Sequence, residues 1–250
     1  MQEVPEPRIP ASLPILSVLE NEHPCSYLPN RTANMPLFVP QRHVTNEEFD
    51  HMLEHGMRRS GNFAYYTACQ GCEACEPVRV DVTKFRWTDS MRRVLNRGDR
   101  LLRTEVGSPD FSEERLELFN RHRMQRGLEQ GDGEYAPYDY QGFLVSTCCE
   151  STYELRFSLD GVLVGLSVID LGATGISAVY TYFDKQNYGI RQGGKRQHDL
   201  ELQATYNKII RIEVKTICRT VRCEPSFEVN LAARQVKTQY PDVYVFCSAY

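Results

Sequence analysis

A strand–turn–strand pattern around Asp160-Gly161 constrains the fold of this chain more than any other feature. Apolar residues alternate with polar ones over residues 153–159, which is typical of a half-buried strand. Asp-Gly favours a two-residue hairpin turn, and residues 162–169 form a nearly continuous apolar run. Another apolar run covers residues 176–183. The pattern predicts an antiparallel meander whose central strand is covered on both faces.

Two helices carry start signals in the sequence. Thr45 and Glu48 have capping-box spacing, and Gly56 is a natural end for the helix that they begin. Ser112 is predicted to cap a second helix over residues 113–126. The apolar residues expected to face the core are Phe49, Met52 and Leu53 in the first helix, and Leu116 and Phe119 in the second.

Composition excludes several classes of protein. The chain has 250 residues, 41% of them hydrophobic, which is ample for a buried core. It contains no run of about 20 apolar residues and its start has no export-signal pattern, so we expect a cytoplasmic protein that does not enter a membrane. Nine cysteines are too few for a disulfide scaffold of this length, and their odd number cannot pair completely within one chain.

The expected fold class is α+β, in four segments. Residues 1–24 hold five of the 13 prolines and are predicted to be a mobile lead-in. Residues 25–110 form the predicted N-terminal cysteine-containing domain, and residues 111–188 form a domain built around the meander. In the last segment, residues 189–250, apolar periodicity is ambiguous between helix and strand.

Cys69, Cys72 and Cys75 recur at every third position in one short loop. Thiolates at this spacing can converge on one soft metal ion or iron–sulfur cluster, with Cys25 as the natural fourth ligand. Zinc and an iron–sulfur cluster are both open from the spacing. The alternative is that the cysteines are small buried hydrophobic residues, as is favoured for the adjacent pair Cys148-Cys149.

The segment from Lys84 to Arg103 is strongly basic although the whole chain has a formal net charge of −4. Such a patch can bind several phosphates, and the interleaved Phe85 and Trp87 could stack on unpaired bases. The alternative is a solvated helix face with two buried aromatic residues. The basic residues of the segment are Lys84, Arg86, Arg92, Arg93, Arg97, Arg100 and Arg103.

Several motifs, in order, resemble the aminoacyl-tRNA–protein transferases. The resemblance is closest to the bacterial aspartate/glutamate leucyltransferases, which are related to arginyl-tRNA–protein transferase. It covers roughly residues 25–184, and the roughly 60 C-terminal residues depart from the family pattern. The matching segments are residues 25–29, 56–61, 69–80, 90–93, 140–144, 154–156, 166–170 and 175–184.

The resemblance implies transfer of leucine or arginine from aminoacyl-tRNA to proteins that begin with Asp or Glu, which marks them for degradation in the N-degron pathway. It also implies an acetyltransferase-like fold for the second half. The aminoacyl ester is already activated, so no cofactor is expected for transfer.

Candidate residues follow from this chemistry. An acidic N-terminal side chain requires a cation, for which Arg58 and Arg59 are the first candidates and Arg156 and Arg79 follow. The catalytic group is unknown, and its candidates are Tyr180, Glu154 and Asp170, with Tyr182 beside them. Backbone N–H groups near residues 176–183 are expected to face the oxyanion. His122 fits either a general base or a structural residue, and the structural role is favoured.

Two other functions fit parts of the sequence. One is a non-enzymatic metal-binding or iron–sulfur protein that binds RNA or senses redox state through Cys25, Cys69, Cys72 and Cys75, and another is an inactive divergent member of the family. Transfer of small acyl groups from coenzyme A is disfavoured because the chain lacks a glycine-rich pyrophosphate-binding turn.

Overall fold

The computed structural model describes residues 13–25, 28–75, 77–82, 84–126, 133–184, 201–205, 209–213 and 244–248. The helices are α1 (Asn46–Glu54), α2 (Asp89–Leu101), α3 (Glu113–Arg126) and α4 (Pro137–Tyr140), and a π-helical turn (Gln141–Val145) continues α4. The strands are β1 (Ile15–Leu19), β2 (Glu22–Pro24), β3 (Thr32–Asn34), β4 (Leu37–Pro40), β5 (Arg58–Ser60), β6 (Phe63–Tyr65), β7 (Pro77–Asp81), β8 (Arg103–Gly107), β9 (Thr152–Leu159), β10 (Val162–Leu171), β11 (Gly175–Phe183), β12 (Glu201–Thr205), β13 (Ile209–Glu213) and β14 (Tyr244–Ser248).

A small antiparallel sheet organises the N-terminal region. Its strand order is β1-β4-β6-β5, and β2 and β3 form a separate hairpin beside it. Helix α1 begins with the predicted capping box, because Thr45 Oγ1 accepts from the Glu48 N–H and the Glu48 carboxylate accepts from the Thr45 N–H. The apolar side chains of α1 and of the sheet share one core, which includes Phe38, Phe49, Met52, Leu53, Met57 and Ala64.

A six-stranded sheet, ordered β7-β14-β11-β10-β9-β8, contains the predicted meander. Strands β9, β10 and β11 pair antiparallel in sequence order, and residues 164–170 of the central strand β10 are buried. The turn between β9 and β10 places Asp160 at φ 51° and Gly161 at φ 83°, as a tight hairpin turn requires. The meander is therefore confirmed, and the molecule has a mixed α/β fold with antiparallel sheets.

The two faces of the six-stranded sheet have separate cores. Helices α3 and α4 and the π-helical turn cover one face, where Leu166, Val168 and Tyr182 of the sheet meet Leu116 and Phe119 of α3. On the other face, Leu155, Phe157 and Ile176 pack with Val82. Ser112 caps α3 as predicted, since its Oγ accepts from the Arg115 N–H at 3.3 Å.

Strand pairing corrects the predicted segment boundaries. Residues 15–19 and 22–24, expected within the mobile lead-in, form β1 and β2, because Ile15 and Leu13 pack into the N-terminal core. Strands β7 and β8, expected in the N-terminal domain, pair into the six-stranded sheet instead. Residues 1–12 lie outside the described residues, as does most of the last segment.

The last segment contributes strands to the structure. Strand β14 pairs parallel with β11 over Gly175–Ser177 and antiparallel with β7, so it lies between these two strands in the six-stranded sheet. Strands β12 and β13 form a hairpin. The ambiguity between helix and strand is thus resolved toward strand for residues 201–205 and 209–213.

Helix α1 and the loop between β10 and β11 join the two sheets. The Asp50 carboxylate accepts from the backbone N–H groups of Thr174, at 2.7 Å, and Gly175, at 2.9 Å. A side chain at Gly172 would collide with the same carboxylate and would have to displace it from these hydrogen bonds. Val44 also forms a parallel bridge with Cys149. None of the helices in the described part of the chain is long and apolar enough to cross a membrane.

Candidate functional site

A fully buried ion pair lies where the two sheets meet. Arg59 Nε in β5 donates to Asp170 Oδ2 in β10 at 2.7 Å, and both side chains are 0% exposed. Arg59 Nη1 also donates to the carbonyl oxygens of Gly61 and Ser146, and Thr152 Oγ1 donates to Asp170 Oδ1 at 2.6 Å. Arg59 Nη2 is buried and has no hydrogen-bond partner among the described residues.

The electrostatics of this pair favour the charged guanidinium. Burial lowers the pKa of Arg59, but the attraction and hydrogen bond from Asp170 outweigh it, so the pKa is raised above its ordinary value. Arg59 therefore clamps the end of the π-helical turn, through Ser146, to the N-terminal sheet. Neither of these side chains reaches the surface, which argues against Arg59 as a surface ligand for an acceptor carboxylate.

The neighbouring Arg58 is also buried, with 7% of the residue exposed. Its Nη1 donates to the carbonyl oxygen of Met57. The turn that follows β5 approaches the π-helical turn so closely that a side chain at Gly61, where φ is 56°, would collide with the Gly142 carbonyl oxygen. The predicted Arg58-Arg59 motif thus lies inside the molecule.

A second buried carboxylate, Glu154 in β9, holds two guanidinium groups. Arg115 Nη2 of α3 and Arg156 Nη1 of β9 both lie 2.6 Å from Glu154 Oε1. The Glu154 side chain is 1% exposed, that of Arg115 11% and that of Arg156 26%. Asp110 lies beside them, because its N–H donates to Glu154 Oε2 and its Oδ2 is 3.6 Å from Arg115 Nη1.

Tyr180 lies in the same row of the sheet as Glu154. Glu154 pairs with Val168 across β9 and β10, and Val168 pairs with Tyr180 across β10 and β11, so all three share one face. Tyr180 is half-buried. The row therefore brings two of the three predicted catalytic candidates to the α3 side of the sheet, while Asp170 is occupied by Arg59.

An aromatic cluster surrounds Phe119 on this face. Its ring packs edge-on against those of Tyr180, at 5.6 Å between centroids, and Tyr182, at 5.3 Å. The hydroxyl oxygens of Tyr182 and Tyr140 are 2.7 Å apart. Burial raises the pKa of Tyr140 to about 12, so this hydroxyl stays protonated at neutral pH. Tyr135 and Phe143 complete the cluster.

His122 has the structural role that the sequence favoured. It is buried, and its Nδ1 lies 3.1 Å from the Phe183 carbonyl oxygen and 3.2 Å from the Phe183 amide nitrogen. Burial lowers the pKa of His122 to about 4, despite the hydrogen bond to Phe183. The imidazole is therefore neutral at pH 7 and holds the C-terminal end of β11.

Helix α2 carries most of the predicted basic patch at the surface. Thr88 caps the helix by accepting from the Met91 N–H at 3.3 Å. Leu95 is buried, whereas the arginines of this helix are exposed. Arg92 is 59% exposed and makes a 3.4 Å ion pair with Asp89, which is 87% exposed. The exposed arginines of α2 are Arg92, Arg93, Arg97 and Arg100.

The residues just before α2 are arranged differently. Lys84 and Arg86 are exposed, and Lys84 pairs with Asp81 at 2.9 Å. Phe85 and Trp87 are half-buried and pack edge-on with centroids 5.7 Å apart. Because Phe85 also packs against the core of the six-stranded sheet, it is held in the fold. Arg79 of β7 is exposed.

The four predicted ligand cysteines lie in two loops that are tied to the same hairpin. Beside the β2–β3 hairpin, the Cys25 N–H donates to the Arg31 carbonyl oxygen at 2.8 Å. The second loop is held by Asn34, whose N–H donates to Cys69 Sγ at 3.3 Å, and by Arg31 Nη1, which donates to the Gly71 carbonyl oxygen. All four cysteine side chains are half-buried.

The described residues contain no group of three His, Cys, Asp or Glu side chains close enough together to hold a metal ion. The thiol donor set suits zinc or an iron–sulfur cluster, and the hairpin keeps the two loops together. A shared metal would need the four thiols to approach further, so the four-cysteine site stays a prediction. Cys148 and Cys149, by contrast, are buried in the N-terminal core, as expected.

Sequence reasoning missed Arg115 and Tyr140. Both reach their partners only through the fold, since Arg115 is 39 residues from Glu154 and Tyr140 is 42 residues from Tyr182. The one sequence signal for Arg115 was its place three residues after the cap Ser112, in the first turn of the predicted helix.

Comparison with known proteins matches both halves of the chain to one family. The family profile "Arginine-tRNA-protein transferase, N terminus" matches residues 23–93, and "Arginine-tRNA-protein transferase, C terminus" matches residues 114–204. The second match extends beyond residue 184, where the motif resemblance ends. The matched regions contain β9 to β11, α3 and the loops that carry the cysteines.

Several relatives share the same name, aspartate/glutamate leucyltransferase. The relative from Thiobacillus denitrificans is 36% identical over 166 residues, covering 66% of this chain and 68% of the relative. The relative from Marinobacter nauticus is 37% identical over 163 residues, covering 64% and 67%. The relative from Pseudomonas fluorescens is 34% identical over 165 residues, covering 65% and 68%.

Among solved structures, L-PGS from Bacillus licheniformis covers 61% of this chain and 58% of its own, with 12% identity and a TM-score of 0.33. A likeness this low carries no argument about the fold, so the acetyltransferase-like description stays a prediction. The sequence matches define an enzyme class, the aminoacyltransferases that use aminoacyl-tRNA and protein substrates. The chain belongs to the arginyl-tRNA–protein transferase family.

Proposed function

We propose that this protein transfers leucine from leucyl-tRNA to the α-amino group of proteins that begin with Asp or Glu. The observation that carries the proposal is the 36–37% sequence identity to relatives named aspartate/glutamate leucyltransferase. The N-terminal and C-terminal profiles of the family also match the chain in that order. The structure adds an exposed basic helix and a buried carboxylate holding two guanidinium groups. Arginine stays the alternative donor, because the family profiles carry its name.

The transfer forms one bond and breaks another. The neutral α-nitrogen of the acceptor attacks the ester carbon, a C–N bond forms, and the C–O bond to the tRNA ribose breaks. The displaced oxygen takes up a proton, and the nitrogen loses one. Since an α-amino group has an ordinary pKa of about 7.7–8.0, a useful fraction is neutral near pH 7, and positioning supplies much of the acceleration.

Within this reaction we assign the transfer site to the sheet face that carries Glu154 and Tyr180. Tyr180 is the reachable candidate of the row, since it is half-buried, whereas Glu154 is held by Arg115 and Arg156. Backbone N–H groups near residues 176–183 are proposed to face the developing oxyanion. Asp170 has a positioning role, because it anchors Arg59 and through it the π-helical turn.

The exposed face of α2 is the proposed tRNA contact. Arg92, Arg93 and Arg97 lie on it, and Lys84 and Arg86 precede it in the chain. Guanidinium groups bind phosphates bidentately, and each neutralised phosphate makes binding more sensitive to salt. The assignment predicts that leucyl-tRNA binds tightly and that its affinity falls steeply as the salt concentration rises.

We also propose that Cys25, Cys69, Cys72 and Cys75 hold zinc or an iron–sulfur cluster that stabilises the N-terminal sheet. Their support is the common attachment of both loops to the β2–β3 hairpin. Metal analysis of the purified protein tests this, with Cys148→Ser as a control for a cysteine outside the set. Equal metal content in the wild type and in Cys72→Ser would contradict the assignment.

The cellular role follows from the acceptor. A leucine added to an acidic N-terminus marks the protein for degradation, so we propose a place in the N-degron pathway and in the cytoplasm, where tRNA is charged and thiols are reduced.

The donor and acceptor are tested together. Purified full-length protein is incubated with radiolabelled leucyl-tRNA or arginyl-tRNA and with peptides that begin with Asp, Glu or Ala. The proposal predicts label on the Asp and Glu peptides from leucyl-tRNA. Label from arginyl-tRNA alone would make the protein an arginyltransferase, and no label from either donor would refute the proposal.

A further inference from the structure

Two arginines and one exposed aspartate form a compact group of mixed charge at one end of the transfer face. Arg115 and Arg156 share a single oxygen of Glu154, and each spends only one nitrogen on it within hydrogen-bond distance. Glu154 is 1% exposed, so it lies deeper in the protein than the two guanidinium groups and fixes their orientation. Neither arginine is fully covered, with 11% and 26% of their side chains exposed.

Two other acidic groups, Asp110 and Glu105, lie nearer to solvent. Asp110 is 77% exposed, its Oδ2 lies 3.6 Å from Arg115 Nη1, and its Oδ1 accepts from the Phe111 N–H. Glu105 is 44% exposed, lies 3.8 Å from Arg156 Nε, and is paired with Arg103 at 2.8 Å. The solvent side thus offers both guanidinium donors and a carboxylate within one short distance.

We propose that Arg115, Arg156 and Asp110 recognise the first residue of the acceptor, which rests on the function proposed above. An N-terminal Asp or Glu carries a carboxylate and an α-ammonium group on a single residue. Arg115 and Arg156 bind the side-chain carboxylate, and Asp110 attracts the α-ammonium group, which loses a proton to solvent before the neutral nitrogen attacks. The sequence already predicted that Arg156 binds the acceptor carboxylate. Arg115 is the second residue of this site and determines its specificity.

Charge and geometry support this occupant over a phosphate. Counting Glu105 and Arg103, the cluster contains three basic and three acidic side chains, so its overall charge suits a group with one positive and one negative end. A phosphate carries only negative charge and would meet Asp110 and Glu105. Planar guanidinium groups match carboxylates bidentately, which gives selectivity as well as affinity.

Gly107 in β8 keeps the space that Arg156 needs. A Cβ at Gly107 would lie 3.1 Å from Arg156 Nη1 and 3.3 Å from Arg156 Nη2. Substitution by alanine would therefore shift the guanidinium group by a few tenths of an ångström without changing any charge. This makes Gly107→Ala an independent test of Arg156 position.

The test measures peptide binding by calorimetry and leucyl transfer by kcat/KM, in the full-length protein. Arg115→Gln is expected to lower kcat/KM for Asp and Glu peptides by about 10- to 100-fold, as for a lost charge-assisted hydrogen bond. The KM for leucyl-tRNA is expected to stay unchanged. Arg115→Lys keeps the charge and is expected to recover part of the loss, and Gly107→Ala is expected to raise the peptide KM.

Asp110→Asn addresses the α-ammonium group. It is expected to weaken binding of Asp peptides with a free N-terminus and to leave N-acetylated Asp peptides unaffected. Arg42→Gln is the matched control, because it also removes an arginine from an ion pair. Arg42 pairs with Glu48 of α1 at 2.8 Å and is not part of this cluster. The control is expected to behave as the wild type.

The outcomes separate this inference from the proposed function. If the wild type transfers leucine to acidic peptides and Arg115→Gln, Gly107→Ala and Asp110→Asn all keep the wild-type acceptor preference, the recognition site is wrong and the function stands. If the wild type transfers nothing but binds Asp peptides in a way that needs Arg115, the recognition site stands and the function fails. If Arg115→Gln does not fold, Gly107→Ala and Asp110→Asn decide alone.

Discussion

The arginines of β5 and those of α2 look alike in the sequence and differ completely in the structure. Arg59 is fully buried and spends its guanidinium group on Asp170 and two backbone carbonyls. Arg92 of α2 is 59% exposed, and its carboxylate partner is more exposed still. Arginine clusters therefore do not identify a ligand site until their burial and partners are known.

The difference has an energetic consequence. Removing one member of a buried ion pair leaves an uncompensated charge, whereas exposed pairs contribute little to stability. The arginines of β5 should therefore affect folding, and those of α2 should affect substrate binding. If so, the expected change in the free energy of unfolding falls as the altered side chain becomes more exposed, from Arg59 and His122 to Arg121 and the arginines of α2.

Arg59→Met should destabilise the protein by about 3–5 kcal/mol, because Asp170 is left buried without its partner. The measurement is the free energy of unfolding in urea. The double variant Arg59→Met with Asp170→Leu should recover much of the loss, since no unpaired charge is then buried. If Arg59→Met alone were as stable as the wild type, the buried arginines of β5 would not differ from the exposed arginines of α2 in their effect on folding.

The buried imidazole of His122 should make the stability of the protein depend on pH. Its pKa is lowered to about 4 in the folded protein, below the unfolded value of 6.5. The unfolded state therefore binds more protons as the pH falls through this range, and the stability present at pH 7 is progressively lost between pH 6.5 and about 4. Between pH 7 and pH 5 the loss attributable to His122 should be about 2 kcal/mol.

His122→Gln is the control for this dependence. Urea unfolding of both proteins at pH 7 and pH 5 gives the difference that belongs to His122. Parallel losses in the two proteins would show that the imidazole is not buried in a neutral form.

Arg121→Gln should have an intermediate effect. Arg121 is 42% exposed but pairs at 2.7 Å with Asp184, which is 4% exposed. Losing this half-exposed contact should cost about 1–2 kcal/mol. The same urea titration measures this loss. A loss as large as that of Arg59→Met would show that the exposure of an arginine does not predict its contribution to the free energy of unfolding.

The triple variant Arg92→Gln, Arg93→Gln and Arg97→Gln should change stability least, by less than about 0.5 kcal/mol. Its effect should appear instead in tRNA binding. The slope of log affinity against log salt should fall in magnitude by about 2–3, as three phosphate contacts are lost. If the salt slope and the affinity for tRNA were both unchanged, the tRNA contact would not lie on α2.

Local patterns predicted the local structure well. The Asp160-Gly161 hairpin and the capping box at Thr45 depend on neighbouring residues, and both formed as expected. Ser112 likewise marked the start of α3. The physical reason is that turn geometry and helix caps are satisfied within a few residues.

Nonlocal contacts escaped prediction. Arg59 and Asp170 are 111 residues apart, so their pairing is decided by how the two sheets meet. Strands β7, β8 and β14 join the same sheet as the meander, and their partners cannot be read from apolar periodicity. Arg115 was missed for the same reason, because only the fold brings α3 to Glu154.

The most direct test of the whole account is the mass of an Asp-initiated peptide after incubation with the purified protein and leucyl-tRNA. The account predicts a gain of one leucine residue at the N-terminus, and none on the matching peptide that begins with Ala. An unchanged mass for the Asp peptide, or an equal gain on the Ala peptide, would contradict it.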